Sequence, residues 1–261
     1  MSESDRILVS RNNGIKRITI NDPGALNAVD RSMADRFFEL VQEAATDGSR
    51  VVIITGAGEA FCSGANVKKM RSHTGSFSSV TDFLQGVTNP TIRALREMPK
   101  PVIARIPGMA TGVGCSYALA CDIRIASTNA RFGQVFSRIG LAPDGGGYVL
   151  PRMIGYAQAF ELMVTGEVFS AEKALRLSLV NRVAAPEELD AVVDEMAGKL
   201  AAGPSLAFAG IKRNLTYGET HSLAETLDQE AVAQRICMES HDFKEGTTAF
   251  VEKRPARFEG R

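Results

Sequence analysis

The sequence predicts an α/β fold with an all-helical end. Strand, glycine turn and helix alternate as far as Pro186, and from there on every apolar pattern is helical. A length of 261 residues suits one substantial domain with an appendage. Ile7–Val9 and Ile15–Ile20 alternate apolar with polar residues about Asn12-Asn13-Gly14, whose last two residues suit a hairpin turn. Asp30 has the place of an N-cap, with Met33, Phe37, Leu40, Val41 and Ala44 following at helical spacing. Val51–Thr55 reads as a buried strand. Residues 71–80 read as a mobile surface segment, and Val80–Glu97 as a helix. Pro101–Ile106 is the next strand, Cys115–Ala120 a helix after a glycine-studded turn, and Ile123–Ala126 a strand again. Helical spacing returns at Gln158–Val164 and Ala171–Leu177, then at Leu189–Leu200, Ser205–Leu215 and Leu223–Ser240. With Ala201-Ala202-Gly203-Pro204 as the joint, the chain divides into a core over residues 1–200 and a helical region over 201–261.

Composition narrows the function. Thirty Lys and Arg balance thirty Asp and Glu, so no overall field recruits nucleic acid or an anionic membrane. Cys62, Cys115, Cys121 and Cys237 form no CxxC pair and no His/Cys cluster, so reduced, mostly buried thiols are expected and no metal. The N-terminal residues are polar and acidic, unlike a secretory or transit peptide, and no apolar stretch reaches the length of a membrane span. A cytoplasmic protein is the expectation. His73, His221 and His241 read as solvated side chains.

Three glycine-bearing segments stand out: Phe61-Cys62-Ser63-Gly64-Ala65-Asn66, Gly108 to Gly114, and Leu141-Ala142-Pro143-Asp144-Gly145-Gly146-Gly147. Glycine permits positive φ and lets backbone approach a ligand closely. A helix beginning near Gly114 adds unpaired N–H groups and the positive end of its dipole, which favours developing negative charge. Taken alone, such glycines also serve simply to make a turn, and Asp144 simply to form one. A dinucleotide fingerprint starting at Gly56-Ala57-Gly58 fails, because Phe61 stands where its third glycine belongs.

In order and separation, these segments resemble the enoyl-CoA hydratase/isomerase (crotonase) family. The resemblance runs through Leu26-Asn27-Ala28, Ala60 to Asn66, Pro101-Val102-Ile103-Ala104, Gly108 to Asp122, Phe132-Gly133 and Gly140 to Gly147. It continues through Leu150-Pro151-Arg152 and Glu245-Gly246 to Ala249–Arg254. It implies a crotonase-like spiral of ββα repeats with a helical C-terminal trimerisation region, as a homotrimer or a dimer of trimers. It implies an acyl-CoA substrate, with CoA arriving as part of the thioester and no further cofactor. The backbone N–H groups matching the family's oxyanion hole are those of Ala65 and Val113. Ala25, Ala28, Ser63, Gly64, Val67, Gly112 and Phe136 match substrate-contact positions, and Phe250 and Lys253 match positions that reach the CoA of a neighbouring subunit.

Departures from the family pattern bear on the reaction. Hydratases of the family use two glutamates, whose positions are held here by Ser116 and Phe136. Asp144 matches the aspartate used by several of its isomerases, and the surrounding motifs are most similar to the 1,2-epoxyphenylacetyl-CoA isomerase branch. Asn66 stands where many members carry Asp. The expectation is an acyl-CoA isomerase with Asp144 as acid/base. The alternatives are an enoyl-CoA hydratase that recruits water by another route and a catalytically silent acyl-CoA-binding subunit.

Overall fold

A computed structural model describes residues 6–72 and 81–261. His73, and most of the segment read as a mobile surface run, lie outside these residues. The hairpin forms as the sequence predicts: β1 (Ile7–Asn12) pairs antiparallel with β2 (Ile15–Ile20), and the turn residues Asn13 and Gly14 take φ of +49° and +76°. An Asn-Gly pair adopts that conformation at little steric cost. Helix α1 (Arg31–Thr46) follows, its first turn capped by Asp30, whose Oδ1 accepts from Met33 N–H at 3.1 Å.

From here the chain winds in repeated turns. Strand β3 (Val51–Gly56) is followed by β4 (Ala60–Cys62), then by helices α2 (Val67–Ser72) and α3 (Asn89–Glu97). The next turn gives β5 (Val102–Ile106), β6 (Met109–Thr111) and α4 (Val113–Ala120). The third gives β7 (Ile123–Ser127), β8 (Arg131–Gly133), α5 (Gly146–Ile154) and α6 (Tyr156–Thr165). After β9 (Phe169–Ser170), α7 (Ala171–Arg176) and β10 (Arg182–Ala184) comes α8 (Leu189–Ala201). One sheet has the order β1-β2-β3-β5-β7-β10 and the other β4-β6-β8-β9, so each turn lays one strand in each sheet before its helix. This is the spiral of ββα repeats.

Both faces of the central strands are covered, which is why they read as unbroken apolar runs. Val52, Ile54, Val102 and Ala104 face the main core with Phe37, Leu40, Phe61 and Tyr117. Val51, Ile53, Ile103 and Ile125 face the other way, onto Leu189, Val193 and Ala197 of α8.

Three expectations need correction. The helix read over Val80–Glu97 contains a π-helical turn at Leu84–Thr88. Pro90 explains it: without an N–H, and with its ring against the preceding turn, it does not continue a regular ladder. The helix expected from Cys115 begins at Val113, with Gly112 as its N-cap residue. His241 is only partly solvated; its Nδ1 is buried 3.7 Å from Asp242 Oδ1. The cause is the chain end folding over α11 (His241–Glu252), with the Asp242 carboxylate accepting from the N–H groups of Glu259 and Gly260. By contrast His221 is exposed, stacked 3.5 Å from the Tyr217 ring. All four cysteines are free, and Cys62, Cys115 and Cys121 are buried.

The last three helices are α9 (Ser205–Gly218), α10 (Leu223–Met238), started by a Ser222/Glu225 capping box, and α11. They are fastened to the core by Lys212, whose Nζ donates to Leu95 O and Asp122 Oδ2, both at 2.7 Å. Arg50 adds a hydrogen bond of 2.6 Å to Gly203 O. Among the described residues, no helix is long and apolar enough to cross a membrane.

Candidate active site

Register in the smaller sheet brings the first two glycine segments together. β4 and β6 are parallel neighbours, with Cys62 opposite Ala110, so the chain leaves the same edge of the sheet twice. The turns that follow touch: a Cβ on Gly64 would lie 3.2 Å from Thr111 O and 3.8 Å from Gly112 Cα. Gly64 and Gly112 have φ of +111° and +55°, which a side chain would strain. Thr111 Oγ1 donates to Ser63 O at 2.9 Å and ties the turns further.

The backbone of these turns presents two unspent donors. Val29 bridges across Ala65: its N–H donates to Gly64 O, and its carbonyl accepts from Asn66 N–H, each at 2.8 Å. The N–H of Ala65, between those two bonds, points the other way. Val113 is the first residue of α4, where a helix leaves its N–H without an intrahelical acceptor. Among the described residues, neither N–H takes part in a backbone hydrogen bond. The positive end of α4 reinforces the second donor.

Asp144 approaches from the third segment. Its backbone carbonyl accepts from Ser116 Oγ at 2.6 Å, and Ser116 lies in the first turn of α4, so the carboxylate's turn is bolted to the helix that carries the Val113 N–H. Among the described residues, the buried Oδ1 of Asp144 has no hydrogen-bond partner. Burial pushes the carboxyl up from 3.8 to about 6. Asp30 is the opposite case. Burial also opposes its ionisation, yet Lys69 and Arg6, at 2.5 and 2.6 Å, hold it far below the ordinary carboxylate range. Asp144 has the poise of a proton shuttle, and Asp30 that of a fixed anion.

The remaining expected contacts divide in two. Ser63 N–H donates to Leu26 O at 3.0 Å and Ser63 Oγ to Ala25 O at 3.4 Å, which brings Ala25 and Ala28 beside the first turn. Val67 begins α2 two residues beyond Ala65 and is exposed. Phe136 would stand 3.8 Å from a Cβ on Gly112. Phe250 and Lys253, by contrast, sit at the end of α11, in the helical region rather than in the two turns. Sequence reasoning gave no role to Asn27, whose buried amide donates to Ala57 O and Ala60 O at 2.9 and 2.7 Å and shapes the first turn. It also missed Gln134, buried against Ser116; no local pattern marks either. An apolar groove of about 550 Å³ lies elsewhere, between α9, α10 and α11. Among the described residues, no His, Cys, Asp and Glu side chains gather in a group able to hold a metal ion.

Residues 10–261 match the family profile described as enoyl-CoA hydratase/isomerase. The chain belongs to the enoyl-CoA hydratase/isomerase family. It is 35% identical over 251 residues to 1,2-epoxyphenylacetyl-CoA isomerase of Escherichia coli, covering 95% of this chain and 96% of that one. It is also 35% identical to the short-chain-enoyl-CoA hydratase of Clostridium acetobutylicum, over 97% of both chains. The crystal structure of enoyl-CoA hydratase from Bacillus anthracis superposes with a TM-score of 0.93 at 31% identity, covering 98% of this chain and 100% of that one. This member of the family therefore has the crotonase fold and is a hydratase/isomerase-family enzyme. Both reaction types occur among its relatives.

Proposed function

We propose that this family member is a cytoplasmic acyl-CoA isomerase working through one carboxylate. The observation that carries the reading is Asp144: a half-buried carboxyl, its Oδ1 without a partner among the described residues, linked through Ser116 to the α4 N-terminus, while Ser116 and Phe136 stand at the positions that match the family's hydratase glutamates. In a 3-enoyl-CoA, ionised Asp144 takes a proton from C2. The electron pair moves into the thioester, and the resulting dienolate oxygen accepts from the N–H groups of Ala65 and Val113. The protonated carboxyl then delivers the proton at C4, leaving the conjugated 2-enoyl-CoA and restoring Asp144. Each preorganised donor is worth about 2.7–4 kcal/mol where the oxygen becomes negative. Ala25, Ala28, Ser63, Gly64, Val67, Gly112 and Phe136 line the thioester and acyl portions. Phe250 and Lys253 serve the CoA of a neighbouring subunit in a homotrimer or dimer of trimers. Leu215, Leu223, Phe250 and Val251, exposed by 70, 75, 86 and 80% in the single chain, support an assembly through the C-terminal helices.

The hydratase name of the Clostridium relative favours a second reading, addition of water to a 2-enoyl-CoA. It requires a second group to activate water, and Phe136 has no acid/base chemistry. The test of the isomerase reading is Asp144→Asn assayed on 3-hexenoyl-CoA. The expected result is a kcat lowered by about 10²–10⁴-fold with thioester binding unchanged. Full activity in that variant would remove Asp144 from the chemistry.

A further inference from the structure

The hydroxyl of Ser116 makes a bond that the proton shuttle by itself does not call for. Ser116 is fully buried, and its Oγ donates to Asp144 O across 28 residues of sequence. The same carbonyl accepts from Gly146 N–H at 2.6 Å, closing a three-residue turn about Gly145, whose φ and ψ are +65° and −37°. Glycine takes this turn without steric strain, whereas contacts with neighbouring side chains leave little room for any other residue. Those contacts are specific. A Cβ on Gly145 would lie 3.2 Å from Ser116 Cβ and 3.0 Å from Ile92 Cγ1, and one on Gly146 would lie 2.5 Å from Gln134 Nε2. Gln134 is 1% exposed, and its Nε2 lies 3.4 Å behind Ser116 Oγ. The hydroxyl proton has two carbonyls within reach, Gly112 O at 3.5 Å and Asp144 O at 2.6 Å, and the short bond is the one to Asp144.

We propose that Ser116 is a positioning residue: its hydroxyl, oriented by Gln134, holds the Asp144 carboxylate in fixed relation to the Val113 N–H on the same helix. The inference rests on the isomerase reading. It gives the serine that replaces a glutamate a role of its own, acting on substrate only through Asp144. Donor and base then move as one body, and a displacement of about 1 Å between them costs on the order of 100-fold in rate.

Ser116→Ala deletes one oxygen and preserves the packing. On 3-hexenoyl-CoA its kcat falls by about 10- to 100-fold, with KM within about threefold of wild type. The acid limb of its pH–rate profile moves to lower pH, because the released carboxyl regains water. Gln134→Leu gives the same signs with smaller size, and decides the matter if Ser116→Ala does not fold. The Asp144 carboxyl is also followed directly by ¹³C NMR titration of both variants, with Asp144→Asn to assign the signal, so the measurement does not depend on turnover. A serine that only packs lowers the melting temperature and leaves kcat, acid limb and titration where they were; that result overturns the proposal. If Asp144→Asn is inactive while Ser116→Ala matches wild type, the positioning role alone fails. If Asp144→Asn stays active, the isomerase reading fails, and an unmoved Asp144 titration in Ser116→Ala then overturns the positioning role separately.

Discussion

The paired turns at Ser63–Asn66 and Gly112–Gly114 offer backbone to the site, whereas the turn at Asp144–Gly146 offers a side chain. The first pair is built tightly. Gly114 lies so close to β4 that a Cβ there would come within 2.1 Å of Cys62 O, and Val113 is 5% exposed. The second turn carries a carboxyl whose Oδ1 is buried and, among the described residues, has no hydrogen-bond partner. Donors made of backbone have to be rigid, and their cost is met by packing that also stabilises the fold. A proton shuttle has to be uncomfortable when charged, and that discomfort opposes folding. The two halves of one site therefore stand on opposite sides of the stability balance.

The comparison breaks first at the glycines. Gly114→Ala is expected to destabilise the chain by about 3 kcal/mol or more, since backbone rather than a movable side chain fills the space. Gly147→Ala, on the first turn of α5 with no atom of the described residues within 4 Å of its would-be Cβ, is the control. It is expected to be neutral or stabilising by up to about 1 kcal/mol through helix propensity. Urea denaturation of both variants checks the pair. Similar stabilities would mean that the two glycine turns are not packed as described.

A smaller effect sharpens the contrast at Asp144. Burial raises its folded-state value from 3.8 to about 6, so the folded chain favours the protonated form. That contribution is fully present below about pH 4 and is lost as pH rises through about 6. Asp144→Asn removes the cost of the buried charge, so it is expected to melt above wild type near pH 8 and level with it near pH 4. Thermal melts at the two pH values check this. A variant less stable than wild type at the higher pH would show that the ionised carboxylate has a stabilising partner in the fold.

Much of the fold was legible because its signals are local. Asn13-Gly14 announces the hairpin, Asp30 the start of α1, and the β-branched runs the strands covered on both faces. The smaller sheet was not legible, since its strands are two or three residues long and interrupted by glycine turns. The helix α5 was hidden by Pro151 and by the glycines that begin it. The same division applies to the site. Ala65, Val113 and Asp144 could be nominated from ordered motifs, but what brings their turns together is the β4–β6 register and the hydrogen bond from Ser116 to Asp144. Neither is written in any short window of sequence. Gln134 illustrates the limit, because a buried amide between a strand and a turn has no pattern of its own.

The central claim is that this family member moves a proton and adds no water. Its most direct test is mass and absorbance measurement of the purified protein with 3-hexenoyl-CoA and with crotonyl-CoA. 3-Hexenoyl-CoA is expected to become its conjugated isomer at constant mass, and crotonyl-CoA to be returned without gain of water. Crotonyl-CoA gaining one water at a comparable rate would contradict that claim and assign the site to hydration.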